Sequence, residues 1–346
     1  MVRSLWTAAF LISAMSVYAQ DRGPGGKGPP GPGGGKHGGG KEEKSEPKEM
    51  PWAESLETGQ KKADTDQKFI LMYVRPAGEV REPACFTGTE ALKAATNGWI
   101  FVRRDFSKED KELKRLKVTA PGVIIGLDRY LNDFKCRGAA DGGTLQAILI
   151  KLPNTVLDFR QKIAGLWAQA IKSLDAGAEE KAVKPMVEIV ASGKRGYIEI
   201  VESFRRLREA GAKRLDAADD LLVRDDAAYA KELKDVTEDF KGTPVAISAE
   251  ILLARLDRMS LATGAGIARL TKAAANDDDQ FAPEVAAALA YKQELIEEGR
   301  GRVDTAAKLG ASGEVDAAKE TLRKIATEYK GTDVESAAQE ALKKLG

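Results

Sequence analysis

Hydrophobic positions change rhythm several times along the chain. Leu5 to Val17 is a largely apolar run, and Asp21 to Lys41 contains almost no apolar residue. Between residues 51 and 152 short apolar runs alternate with amphipathic stretches. Beyond residue 153 apolar residues return every three or four positions. In the middle region the pattern predicts a helix from Trp52 to about Ala63 and a buried strand over Phe69 to Val74. An irregular segment (Arg75 to Ala84) and a helix over Thr89 to Ala95 follow. A second strand starts at Trp99-Ile100-Phe101-Val102 and ends near Asp105, and a charged helix covers Lys108 to Leu116. Val123 to Leu127 is a third strand, Asp128-Arg129 a turn, Tyr130 to Arg137 a fourth strand, and Gly142 to Leu152 a closing helix. The order α-β-α-β-α-β-β-α is an α/β domain with a four-stranded sheet flanked by helices. An all-α region occupies 153–346.

That second region is rich in Ala, Leu, Glu, Lys and Arg, which favour helix, and it contains an internal repeat. Leu233, Val236, Phe240, Lys241-Gly242-Thr243, Val245, Ala249, Leu253 and Leu256 recur 89 residues later. Their counterparts are Leu322, Ile325, Tyr329, Lys330-Gly331-Thr332, Val334, Ala338, Leu342 and Leu345. Gly242 and Gly331 suit the left-handed end of a helix. Thr243 and Thr332 are placed to cap the next helix, Pro244 suits its first turn, and Thr332 and Glu335 have capping-box spacing. The offset equals about two helical hairpins, which puts an intermediate unit at about Ala282 to Glu297 and a fainter one near Val187 to Leu207.

Arg3 ahead of the Leu5–Val17 run, and the small residues of Val17-Tyr18-Ala19 after it, read as a signal peptide over 1–19 cleaved after Ala19. The run is short for a membrane span, an uncleaved anchor being the alternative reading, and no later segment could insert stably. An exported, periplasmic or extracellular location follows. Residues 20–50, with Pro24, Pro29, Pro30 and Pro32 among glycines and lysines, read as a flexible linker. An alternative is a polymer-binding arm using Lys27, Lys36 and Lys41.

The 346 residues carry 54 basic and 53 acidic side chains, a net charge of +1. That balance gives no general attraction to nucleic acid. The one histidine, His37, lies in the glycine-rich segment. The folded part therefore has no histidine for Ser-His-Asp or Cys-His catalysis, nor for the usual zinc sites. No cofactor or metal is implied. Asp277-Asp278-Asp279 lacks calcium-loop spacing and reads as a loop or helix cap.

The α/β order, Trp52 ahead of the first strand, Asp105 closing the second and Val118-Thr119-Ala120-Pro121 entering the third resemble the thioredoxin fold over about a hundred residues. The resemblance implies a cis peptide at Pro121 beside the active site. It also implies that Arg137-Gly138-Ala139 lets a partner chain approach. The family's reactive Cys-x-x-Cys is missing. Its positions hold Glu79-Val80-Arg81-Glu82 or, with an insertion, Glu82-Pro83-Ala84-Cys85, and Tyr73 stands where the family often carries a buried acid. Three roles stay open for Cys85: an inert thiol, a disulfide with Cys136, and a single reactive thiol. In the tail, aromatic-x-Gly-Thr with an alanine six residues on resembles tetratricopeptide repeats of bacterial cell-envelope proteins, which bind protein segments. The resulting expectation is an exported protein-interaction or scaffold module without a dithiol site. The alternatives are thiol-disulfide exchange through Cys85 with Pro121, and a structural spacer.

Overall fold

The computed structural model describes residues 50–222, 225–276 and 278–346. The expected signal peptide and nearly all of the linker lie outside the described residues. No helix among the described residues is long and apolar enough to cross a membrane.

The sheet has five strands, not four: β1 (Trp52–Ala53), β2 (Phe69–Arg75), β3 (Trp99–Asp105), β4 (Val123–Leu127) and β5 (Asp133–Ala139), in the order β1-β3-β2-β4-β5. β1, β3 and β2 are parallel, while β4 pairs antiparallel with β2 and β5 antiparallel with β4. β2 is central, and its five inner residues Ile70 to Val74 are all buried. This explains why it reads as an unbroken apolar run rather than an alternating one.

Trp52-Ala53, expected to be helical, is the extra strand. Two residues are too few to show a periodicity. The helix α1 (Leu56–Asp66) starts where Ser55 accepts a hydrogen bond from the Thr58 amide, an N-cap. α2 spans Thr89–Thr96. α3 is only Lys111–Arg115, because the Asp110 carboxylate caps it through the Glu112 and Leu113 amides. The segment Tyr130 to Asn132, expected as strand, is a turn that delays β5 to Asp133. Two apolar clusters, one on each face, hold the sheet between its helices.

α4 (Gly142–Asp175) does not stop at Leu152 but continues through Pro153 for 34 residues. Its Leu145, Ile148, Leu152 and Val156 pack against the sheet, and its Ile163 and Ala170 join the core of the helical region. The helices that follow are α5 (Glu179–Val190), α6 (Ile198–Leu222), α7 (Asp226–Asp239), α8 (Pro244–Met259) and α9 (Thr263–Ala273). They are completed by α10 (Ala282–Ala311), α11 (Val315–Glu328) and α12 (Asp333–Lys344). Each packs on its successor, and α6, α8, α10 and α12 also touch one another in turn.

The internal repeat is visible in three dimensions. α7 and α11 both have 14 residues and both end in the Lys-Gly-Thr turn, with Gly242 at φ 76° and Gly331 at φ 84°. Those left-handed values are the reason for glycine at both places. The threonines do not cap. Thr243 Oγ1 donates back to the Phe240 carbonyl and Thr332 Oγ1 to the Tyr329 carbonyl, each at 2.7 Å. Glu335 accepts from the Gly331 amide at 2.6 Å, one residue earlier than a capping box would place it. In both copies a glycine of the long helix lets this corner approach. Gly211 of α6 lies under Val245, and Gly299 of α10 lies under Tyr329 and Val334. The unit expected over Ala282 to Glu297 is instead the first part of the single helix α10. Val187 to Leu207 is the corner between α5 and α6.

Candidate functional site

The segment after β2, where the sequence places candidate chemistry, is organised by aromatic packing. Phe86 is buried, and its ring centre lies 5.0 Å from that of Trp52 and 5.3 Å from that of Tyr73. The short turn Ala84–Phe86 carries Cys85 against this cluster as a half-buried thiol. The carboxylates on the motif positions are occupied. Glu82 Oε1 accepts from the Trp52 indole at 2.6 Å and from Arg103 at 3.0 Å, and the Arg103 guanidinium lies 5.1 Å over the Trp52 ring. Glu79 accepts from the Tyr73 hydroxyl at 3.3 Å. Asp105, at the end of β3, pairs with Arg75.

Neither Cys136 nor Pro121 has the bond expected of it. Both cysteines are free thiols, so no disulfide joins them. Cys136 is buried on β5, its sulfur 3.7 Å from the Phe134 carbonyl oxygen. The expected cis bond at Pro121 is trans, and no described peptide is cis. The left-handed Gly122 makes the approach to β4 instead. Its amide donates to the Val74 carbonyl at 2.7 Å, and its carbonyl accepts from the Ala140 amide at 3.0 Å. Gly138 is required by Thr144, whose methyl group sits 2.8 Å from where a Cβ would be.

Electrostatics keep both sulfurs protonated. Burial pushes the Cys85 thiol up, and Asp141 adds to the rise. Burial likewise raises Cys136. A nucleophilic cysteine needs the opposite, a positive field that favours thiolate. Among the described residues no cluster of side chains could hold a metal ion.

A polar centre that the sequence did not reveal lies at the junction of sheet and helices. Asp128 and Asn132, each 2% exposed, bracket the turn between β4 and β5. Asp128 Oδ1 accepts from the amides of Tyr130 (2.9 Å) and Asn132 (2.8 Å), and Oδ2 accepts from Asn132 Nδ2 (2.8 Å) and the Tyr197 hydroxyl (2.7 Å). The Asn132 side chain also bonds both backbone groups of Arg195, at 2.8 and 3.0 Å. Lys194 reaches the Asp133 carbonyl, with its ammonium 4.5 Å from the Phe134 ring centre. Arg195 pairs with Asp278 and Asp279 at the α9–α10 corner. Burial raises the Asp128 carboxyl, which its four hydrogen bonds offset only in part. Burial also raises the Tyr197 phenol and lowers the Lys194 ammonium. The corner between α5 and α6 thus fixes the helical region to the sheet, with every Asp128 lone pair that faces protein satisfied. A short Asp-x-x-x-Asn turn is the sole local trace of this centre in the sequence.

The helical region carries two open grooves. One, of about 780 Å³, lies between α5, α6 and α7, and the other, of about 760 Å³, lies along α10 and α11. They overlap only in part within the repeat: an arginine lines each, Arg214 in the first and Arg302 in the second, but the second is lined by two helices rather than three. Each arginine is held by an acid at the end of the next helix, Asp239 and Glu328 respectively.

No protein-family model, no curated protein and no solved structure matches this chain.

Proposed function

We propose that the chain is an exported, non-enzymatic interaction protein of the cell envelope, in which a thioredoxin-like domain lacking a dithiol serves as platform for a tetratricopeptide-like helical array. The reading rests above all on Cys85: a lone, half-buried thiol whose pKa is raised by burial, on the segment where the thioredoxin family carries its reactive pair. Thiol exchange needs a thiolate to attack and a second thiol to resolve. Neither requirement is met around Cys85: burial and the Asp141 carboxylate both disfavour its thiolate, and Cys136 is a free thiol not bonded to it.

Support for the thioredoxin-like part is the strand order β1-β3-β2-β4-β5 with its antiparallel β4–β5 pair entered through Pro121-Gly122. The repeat reading is supported by two copies of one corner, Phe240 with Val245 on Gly211 and Tyr329 with Val334 on Gly299. Stacked helical hairpins of this kind offer extended surfaces to protein or peptide partners. The apolar run Leu5 to Val17 supports export.

Insulin reduction by the full chain tests the reading. The expected result is no turnover above buffer, with Cys85→Ser indistinguishable from the parent. Turnover that disappears in Cys85→Ser would overturn it. Export is tested separately by N-terminal sequencing of the secreted or periplasmic product, which should begin at Gln20.

A further inference from the structure

The two grooves of the helical region differ in charge, and this difference points to what the first one fits. Its floor is apolar: Val183 and Val187 of α5 and Ala210 of α6 are half-exposed over the buried Phe240. No helix among the described residues covers them. Its rim carries five carboxylates against three cations. Two of those cations are already committed. Lys213 bonds both oxygens of Glu179 at 3.1 and 3.0 Å, and Arg214 is shared between Glu232 at 2.7 Å and Asp239. Among the described residues Glu180 has no ion-pair partner, and Glu238 has only the exposed Lys241 at 3.8 Å. Among the described residues Lys184 is the one rim cation without an ion-pair partner. In the second groove Arg302 is held by Glu328 and Glu298 by Arg258, which leaves Lys308 as its unpaired charge among the described residues.

We infer that the groove between α5, α6 and α7 docks a segment of a partner protein that carries an apolar side chain beside lysine or arginine. This inference rests on the interaction-protein reading above and names the partner chemistry for it. The apolar side chain enters over Val183, Val187 and Ala210, where burial supplies the affinity. The adjacent cation meets Glu180 and Glu238 at the rim, where partly exposed charges select the partner and speed its arrival more than they tighten its grip. The size of the groove suits a few side chains rather than a whole domain. The second groove presents the unpaired Lys308 instead, so it selects against the same segment.

The test is fluorescence anisotropy of three labelled peptides titrated with the full chain. One alternates leucine and lysine, the second replaces lysine by glutamate, and the third replaces leucine by serine. The leucine-lysine peptide is expected to bind at least about tenfold more tightly than the other two, a difference of about 1.4 kcal/mol. Charge reversal by Glu180→Lys with Glu238→Lys, both exposed positions, should weaken it by about tenfold, and the single Glu180→Lys by less. Lys308→Glu in the second groove should leave it unchanged. Equal affinity for the glutamate peptide, no binding of any peptide, or binding indifferent to both rim variants overturns the inference. Binding that survives the rim variants leaves the interaction reading standing and removes this groove from it. Turnover lost in Cys85→Ser removes the interaction reading itself, whatever the peptides do.

Discussion

Tyr197 donates its phenolic hydrogen to Asp128 Oδ2 at 2.7 Å, across 69 residues of chain and from one region of the fold to the other. Both groups are buried, and the bond is to a carboxylate, the kind that counts most. Removing the hydroxyl by Tyr197→Phe keeps the ring stack on Tyr130 and Phe159, whose centres are 4.9 and 5.4 Å away. It leaves a buried carboxylate oxygen one partner short. We expect a loss of about 1–3 kcal/mol in urea unfolding, and a larger loss for Asn132→Ala, which removes the bonds to Asp128 and Arg195 together.

The same carboxylate sets a pH dependence. Burial holds the folded-state pKa of Asp128 above its ordinary value. The folded chain therefore binds this proton more tightly than the unfolded chain does. Its stabilising contribution is complete below the ordinary value, about 3.9, and is lost as pH rises through the raised one. The stability of the parent relative to Asp128→Asn, which cannot titrate, should accordingly fall as pH rises across that interval. A difference that stays flat or grows would contradict the burial argument.

Two glycines of α10, two residues apart, should respond oppositely to alanine. A Cβ at Gly299 would stand 2.7 Å from the Tyr329 ring and 2.8 Å from Val334, whereas Gly301 has nothing within 4 Å. Gly299→Ala should cost about 1–3 kcal/mol through overpacking. Gly301→Ala should stabilise by about 0.5–1 kcal/mol, since it removes backbone freedom from the unfolded chain at no steric cost. Thermal melts of the two variants, one below and one above the parent, check this.

Alkylation should distinguish the two sulfurs. With both thiols pushed up by burial, Cys85 should react with iodoacetamide more slowly than a peptide cysteine at neutral pH and accelerate in alkali. Cys136, only 3% exposed, should react only when the chain is unfolded. Mass spectrometry of partially alkylated protein follows both. Fast labelling of Cys85 at neutral pH would restore the case for a reactive thiol.

The contrast between these sites shows what the sequence could carry. The strands over Phe69 to Val74 and Val123 to Leu127 were legible because burial on both faces leaves an unbroken apolar run. The repeat was legible because Lys-Gly-Thr marks a corner twice. Trp52-Ala53 was misread because pairing with Phe101 and Val102, not local preference, makes it a strand. Thr243 was misread because a threonine before a helix looks the same whether it caps forwards or bonds backwards to Phe240. The bonds among Asp128, Asn132 and Tyr197 left almost no trace, since they join residues distant in sequence. Pro121 met its local expectation, a turn into β4, without the isomer that the family resemblance implied.

The 34 residues of α4 span about 51 Å at about 1.5 Å each, and they donate side chains to two cores. A chain shortened at any point along it would strip one core of its own lining: ending at Leu152 takes Val156 and Phe159 from the sheet, and starting at Pro153 leaves those two bare on the remaining fragment. Anyone transplanting the array onto another protein must therefore carry this rod whole and supply a new surface for its first four turns.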